Sequence, residues 1–346
     1  VIIPNAFAGC TNQSVETRNF KTYASGQDFG TVPQQETQMS FSRRIVVGIE
    51  MPKSRPWKSA NLCGPGRMAI FHAFNAAASA RLPLTLVTVL PAATAGWLRK
   101  PEEAERLAAA DRAEAESVLR ELLQQYATEA AASNAEIRIM CGSAWEELIR
   151  SVGNRPDSML ICGTRDEGTV RRVVFGSTGL KLLRLAPGTV WLVKPREDDN
   201  DSTDIIAATD GGSVGADVIV TAVPLAKSLN ARLHIVHAVD NGPVTPEALL
   251  QAEAVVQQQL ANTDYRTLPF GVKVLIKSGS PDQCILDAVK EVNADLVVLG
   301  TSSKTGVSGL LPGSTVERLL PELSCSVMAI KPEGFRSMLP ADFWTH

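Results

Sequence analysis

Paired cysteine is missing from this chain. Its six cysteines (Cys10, Cys63, Cys141, Cys162, Cys284, Cys325) are scattered and form no CxxC or ligand-like cluster. Reduced thiols in a cytoplasmic protein are therefore expected. Imidazole is scarce as well: four histidines leave little for catalysis. His234 and His237, in LHIVH, are three apart on a predicted strand and face opposite sides, which argues against a metal pair. A surplus of one charge is also missing. With 34 basic and 37 acidic residues and a formal charge of −3, nothing points to a nucleic-acid partner. No run approaches the roughly 18 apolar residues of a membrane-crossing helix, so no membrane partner is expected.

What is present suits two folded units. The length of 346 residues exceeds one ordinary domain, and 45% apolar content suffices for buried cores. An internal repeat then organises the chain. Gly142–Pro195 lies over Gly279–Pro332 at a constant offset of 137 positions. In that register Gly163 meets Gly300, Gly176-Ser177-Thr178 meets Gly313-Ser314-Thr315, and Lys194-Pro195 meets Lys331-Pro332. Upstream, RRIVVGIE (ending Glu50) matches DIIAATD (ending Asp210), and LTLVTVLP matches LHIVHAVD. The first copy carries 11 extra residues, placed in MPKSRPWKSANLCGPG, and 12 more around a charged, alanine-rich helix. Val118, Leu119, Leu122, Leu123 and Tyr126 of that helix fall at helical spacing.

The second copy reads as strands 205–209, 232–239, 272–277, 295–299 and 326–331 alternating with helices 214–229, 247–262, 282–292 and 314–321. Short apolar strands without clean alternation imply parallel sheets covered on both faces. The fold class expected is α/β: two tandem doubly wound domains, each a five-stranded parallel sheet flanked by helices. Ligands in such sheets sit beyond the carboxyl ends of the strands, where strand order reverses. Asp210 and the Gly300 loop both lie at such ends. Residues 1–42 lack periodicity and are expected to be disordered, with Met39 read as the native start. The remaining boundaries are 43–197 for the first copy, 198–203 for an acidic linker, 204–335 for the second copy and 336–346 for a tail.

The segment GTSSKTGVSGLLPGSTVERLL, running from Gly300 to Leu320, has the makings of a phosphate cradle: glycines and hydroxyls between a strand and a helix. Ser314 stands where an N-cap belongs, so its hydroxyl either caps the helix or meets a phosphate. Together with ATD at the end of the first strand, ADLVVLG, GST and a closing IKPEGF, the duplicated chain resembles the universal stress protein family, in particular its tandem-domain, E-type bacterial members. The resemblance implies an adenine nucleotide α-hydrolase-like or flavodoxin-like sheet order. It also implies a Gly-x2-Gly-x9-Gly-(Ser/Thr) loop for ribose and phosphates, with the Asp ending strand one on the adenine side.

Carried onto the second copy, the implied nucleotide-binding residues are Asp210, Val239, Gly300, Ser303, Gly313, Ser314 and Thr315, with Ser303 in place of the second glycine. The equivalent set in the first copy is Glu50, Gly163, Asp166, Gly176, Ser177 and Thr178. It is read as degenerate, because Asp166 brings a carboxylate toward phosphates and Glu50 replaces the expected Asp. Three functions follow. The first is a stress-response regulator or adaptor, sensing ATP or AMP through the second copy and acting on an unidentified protein partner. The second is a slow ATPase or other adenine-nucleotide hydrolase. The third is a scaffold with both sites lost. No nucleophile–base pair is identifiable, so dedicated catalysis is not expected, no catalytic or metal residue is assigned, and ATP with Mg²⁺ is the cofactor implied. The resemblance also implies that TVWLVK and SVMAIK pair within the chain as an internal pseudo-dimer, with a homodimer beyond it left open.

Overall fold

Ten short strands account for the apolar runs of the sequence, and eight helices among the described residues separate them. The structure, a computed structural model, describes residues 42–91, 101–126, 135–164, 175–194, 203–239, 245–301 and 315–345. The expectations for residues 1–41 and for most of the acidic linker lie outside them. The first half comprises β1 (Arg44–Gly48), α1 (Gly64–Ala80), β2 (Leu84–Leu90), α2 (Pro101–Tyr126), β3 (Ala135–Cys141), α3 (Ala144–Val152), β4 (Ser158–Gly163), α4 (Ser177–Leu185) and β5 (Thr189–Val193). The second comprises β6 (Asp204–Thr209), α5 (Ser213–Ser228), β7 (Arg232–Val239), α6 (Pro246–Ala261), β8 (Val272–Ser278), α7 (Pro281–Val292), β9 (Leu296–Gly300), α8 (Thr315–Leu319) and β10 (Ser326–Ile330).

All ten strands form one sheet in the order β3-β2-β1-β4-β5-β10-β9-β6-β7-β8. Within each half the order is therefore 3-2-1-4-5, not the flavodoxin-like 2-1-3-4-5. Strand pairs are parallel except at the centre, where β5 and β10 run antiparallel with Val327 opposite Leu192, Met328 opposite Trp191 and Ala329 opposite Val190. Each of these strands would otherwise present an unpaired edge; joined, they leave β3 and β8 at the margins among the described strands.

Successive strand residues point to opposite faces, which is why both faces are apolar. Ile45 and Val47 join one core with side chains of α1, α2, α5 and α6. Val46 joins the other with α3, α4, α7 and α8. Both cores run through the two halves without a break. In α2, Val118, Leu119 and Leu122 are each at most 1% exposed, and Leu123 and Tyr126 pack beside them, as the helical spacing requires.

Two equivalent lysines lock the centre reciprocally. Lys194 Nζ donates to the Leu323 carbonyl and Lys331 Nζ to the Leu183 carbonyl, each satisfying a carbonyl at or beyond a helix C-terminus of the other half. They lie over the rings of Phe175 and Phe335 at 4.4 and 4.6 Å. Past Lys331 the chain continues onto the first half. Ser337 Oγ donates to the Leu185 carbonyl at 2.6 Å, Arg150 Nε donates to the Phe343 carbonyl at 3.2 Å, and the Phe343 ring stacks on Trp145.

His72, on α1, stacks on Trp191 of β5 with ring centroids 4.6 Å apart. Its Nδ1 is buried and has no hydrogen-bond partner among the described residues. Burial lowers its pKa from 6.5 to about 4. Between those values the unfolded chain binds a proton that the folded chain refuses, so stability falls as pH is lowered through the window. Acidification across it is expected to cost about 2–3 kcal/mol, read as a drop in the urea midpoint. His72→Leu is expected to remove that part of the slope; an unchanged slope would assign it to the carboxylates.

Candidate functional site

In each half the direction of strand progression reverses beside the first strand, between β1 and β4 and between β6 and β9. A crevice therefore opens beyond the carboxyl ends of those strands.

In the second half the crevice begins with the turn Thr209–Ser213. Gly211 has φ +80°, a conformation that favours glycine. The Gly212 amide donates to Asp210 Oδ1 at 2.9 Å, and the Gly211 amide donates to Thr209 Oγ1 at 3.0 Å. Thr209 Oγ1 donates in turn to Gln259 Oε1 at 2.9 Å, and Gln259 Nε2 donates to the Gly212 carbonyl at 3.0 Å. Gln259 is buried in α6 and so holds the turn from the side, leaving the Asp210 side chain exposed. His237 Nδ1 lies 3.0 Å from the Thr209 carbonyl, which can only accept, so this nitrogen carries the proton. A Cβ at Gly215 would stand 2.2 Å from Thr209 Oγ1 and 2.8 Å from Asp210 Oδ1; only glycine fits under the turn.

Val239 ends β7 and Gly300 ends β9 on the same side of the sheet. A Cβ on Gly300 would meet Val214 Cγ1 at 2.4 Å, so this glycine lets the start of α5 rest on the strand, whatever it offers a ligand. Thr315 opens α8. Ser303, Gly313 and Ser314 lie outside the described residues. Asp210, Val239, Gly300 and the start of α8 thus gather at one end of the sheet. The other histidine of LHIVH sits elsewhere: His234 Nε2 is 2.7 Å from Asp204 Oδ1, at the opposite end of β6. Among the described residues no group of three or more His, Cys, Asp or Glu is placed to hold a metal, and no helix is long and apolar enough to cross a membrane.

The first crevice is built on the same plan with different contents. A Cβ on Gly163 would fall 2.6–2.8 Å from backbone atoms of Pro65 and Gly66, so the first turn of α1 lies directly on the end of β4. Glu50, Gly163, Gly176, Ser177 and Thr178 all border one cavity of about 190 Å³; Asp166 lies outside the described residues. Cys162 is part of its wall, and burial pushes the thiol up to about 12, a neutral surface rather than a nucleophile.

The two insertions of the first copy support each other. Arg55 pairs with Asp111 at 2.5 Å and Glu114 at 3.0 Å on α2, and lies over the Trp57 ring at 4.3 Å. The Trp57 amide donates to Glu114 Oε1 at 2.6 Å. Residues that reading the sequence alone passed over are Thr209, Gln259 and Gly215 in the second crevice, and Cys63, Leu148, Thr164 and Phe175 in the first. A signal existed for Thr164: it follows Gly163 as Thr301 follows Gly300. For Gln259, a polar residue on the buried side of a helix, there was none.

Comparison with known proteins gives a consistent result. The sequence model of the Universal stress protein family matches residues 65–194 and again 202–331. Universal stress protein E homolog of Haemophilus influenzae is 26% identical over 222 residues, 58% of this chain and 72% of its own. Universal stress protein E of Escherichia coli is 24% identical over 234 residues, 60% and 73% of the two chains. Among solved structures, a putative universal stress protein from Pseudomonas aeruginosa covers 89% of this chain and 97% of its own, with TM-score 0.56 and 21% identity. One from Archaeoglobus fulgidus covers 83% and 98%, with TM-score 0.55 and 18% identity. At these identities the structures speak for the fold alone. Two family matches in one chain, each spanning one half of the sheet, show that the chain belongs to the universal stress protein family, as a member with two such domains in tandem.

Proposed function

We propose that this protein is a cytoplasmic stress-response regulator that senses adenine nucleotide, ATP or AMP, through its second copy, with no turnover of its own. The observation that carries the reading is the Asp210 turn. A carboxylate exposed at the carboxyl end of β6 is held in place by Gly212, Thr209 and buried Gln259, at the point where strand order reverses. In this reading Asp210 takes the adenine side and Val239 closes over the base. The backbone at Gly300, Ser303, Gly313, Ser314 and Thr315 takes ribose and phosphates, and Mg²⁺ arrives as the counter-ion of ATP.

Millimolar ATP with Mg²⁺ is expected to raise the melting temperature of the full chain, and Asp210→Ala to weaken binding about tenfold. Absence of any ATP-dependent shift would leave the scaffold reading in its place. Repeated phosphate release that is lost in Asp210→Ala would replace the sensor with a slow ATPase.

A further inference from the structure

The tail that follows Lys331 rests on the first half through a small set of side chains, and those side chains describe a recognition surface. Phe335, 5% exposed, ends the buried part of the second copy. Beyond it, residues 336–345 contain one short 3-10 turn, Ala341–Trp344, and no strand. Leu339, Phe343 and Trp344 pack half-buried against the core that α3 and α4 cover, as do Trp145 and Leu185. A segment held by side chains, outside the strand ladder, opens locally without unfolding the sheet.

The surface reads one residue of this tail twice. Arg150 Nε donates to the Phe343 carbonyl at 3.2 Å, and the same guanidinium lies over the Phe343 ring, 4.6 Å from its centroid. Glu147, one turn earlier on α3, pairs with Arg150 and fixes its direction. The Phe343 ring also stacks on Trp145, with centroids 6.2 Å apart and planes 12° from parallel. Lys181 of α4 lies over the Trp145 ring at 4.5 Å. Trp344 meets Phe343 edge-on at 5.1 Å, and Ser337 Oγ donates to the Leu185 carbonyl at 2.6 Å. A site that takes a ring together with the carbonyl of the same residue recognises a peptide rather than an isolated ring.

The repeat shows that this surface is particular to the first half. At the 137-residue offset Trp145, Arg150, Lys181 and Leu185 become Asp282, Asp287, Arg318 and Glu322. There Arg318 Nε donates to Asp282 Oδ2 at 3.0 Å, an ion pair where the first half has a cation over an indole. Both copies build the same sheet and helices, so the fold of a half does not require the aromatic and cationic set.

From the doubly read Phe343, the stacked Trp145 and their polar counterparts in the second copy, we infer that the α3–α4 face is a docking groove for a partner protein. It takes a short peptide segment that presents adjacent aromatic residues, and the chain's own tail fills it in cis. A partner has to displace a tethered competitor whose effective concentration is of millimolar order, so the tail sets a threshold for docking. The inference does not rest on nucleotide binding at Asp210 and is tested without nucleotide.

The probe is a fluorescein-labelled peptide with the sequence of residues 336–346, RSMLPADFWTH. Its anisotropy is followed on titration with two full-length chains: the wild type and the double variant Phe343→Ala, Trp344→Ala, whose tail has lost its anchors. Saturable binding to the double variant is expected, about tenfold tighter than to the wild type. Replacing both aromatic residues of the probe by leucine, or adding Trp145→Ala to the double variant, is expected to weaken binding about tenfold. Circular dichroism checks that the variants keep the fold. A second measurement needs no variant. In the wild type the Phe343 amide, bonded to the Pro340 carbonyl at 3.0 Å, is expected to exchange with deuterium about a hundredfold faster than the Thr301 amide, bonded to the Ile330 carbonyl at 2.9 Å. No saturable binding to the folded double variant, equal affinity for both chains, indifference to Trp145→Ala, or exchange of the Phe343 amide only on global unfolding would each overturn the inference. Dimerisation of the wild type that the double variant loses would assign the groove to the tail of a second copy and overturn the partner proposed.

Discussion

Trp191→Ala is expected to destabilise the chain by about 3–5 kcal/mol, the range for removing a large aromatic from a packed core. Trp191 is 2% exposed and lies in the central strand pair, directly opposite Met328, with His72 stacked on its ring. It belongs to the core that α1 and α5 share across the two halves. A cavity there weakens the half-to-half join as well as the local packing. Urea denaturation followed by circular dichroism is the measurement, with the midpoint shifted well below that of the wild type. Trp191→Phe provides the control: it keeps an aromatic ring against His72 and removes an indole N–H that has no partner among the described residues, so its loss is expected to stay below about 1.5 kcal/mol. Equal losses in the two variants would mean that the stack is irrelevant.

The second large effect is an alkaline one. Burial lowers the Lys331 ammonium from 10.5 to about 7. Below pH 7 the folded and unfolded chains both carry the proton, and the full cost of burying it is present. Between pH 7 and 10.5 the unfolded chain still binds a proton that the folded chain has released, so stability rises with pH. The rise is expected to reach about 2–4 kcal/mol by pH 10. The Leu183 carbonyl and the Phe335 ring, which favour the charged form, hold it to the lower part of that range. Lys331→Met is expected to flatten the profile between pH 7 and 10. A profile already flat in the wild type would mean that water reaches the ammonium.

Much of this architecture was legible before any coordinates. Predicted strand 232–239 coincides with β7, and helices 214–229, 247–262 and 282–292 lie within one residue of α5, α6 and α7. Short apolar strands and amphipathic helices announce themselves through local periodicity, and the 137-residue offset carried the reading from one copy to the other. The candidate site was legible to the extent that it sits at strand ends: Asp210, Val239 and Gly300 follow directly from where the apolar runs stop. The clamp of Arg55 on Asp111 and Glu114 was not legible, although both insertions were visible, because nothing local says that two extra segments more than 50 positions apart meet. Gln259 escaped for the same reason, its role depending on which face of α6 meets the turn after β6.

The sequence by itself determined that this is a duplicated α/β chain and which residues end each strand, since periodicity, turn chemistry and repetition are properties of neighbouring residues. Only the tertiary structure decided the 3-2-1-4-5 order, the exchange of Lys194 and Lys331 between halves, and the difference between the two crevices. Thr164 and Thr301 occupy the same place in the repeat, yet the Thr301 hydroxyl meets a carbonyl and the Thr164 hydroxyl is buried with no partner among the described residues. Such differences arise from packing, which brings together side chains far apart in the chain and so leaves no trace in the local pattern of either copy.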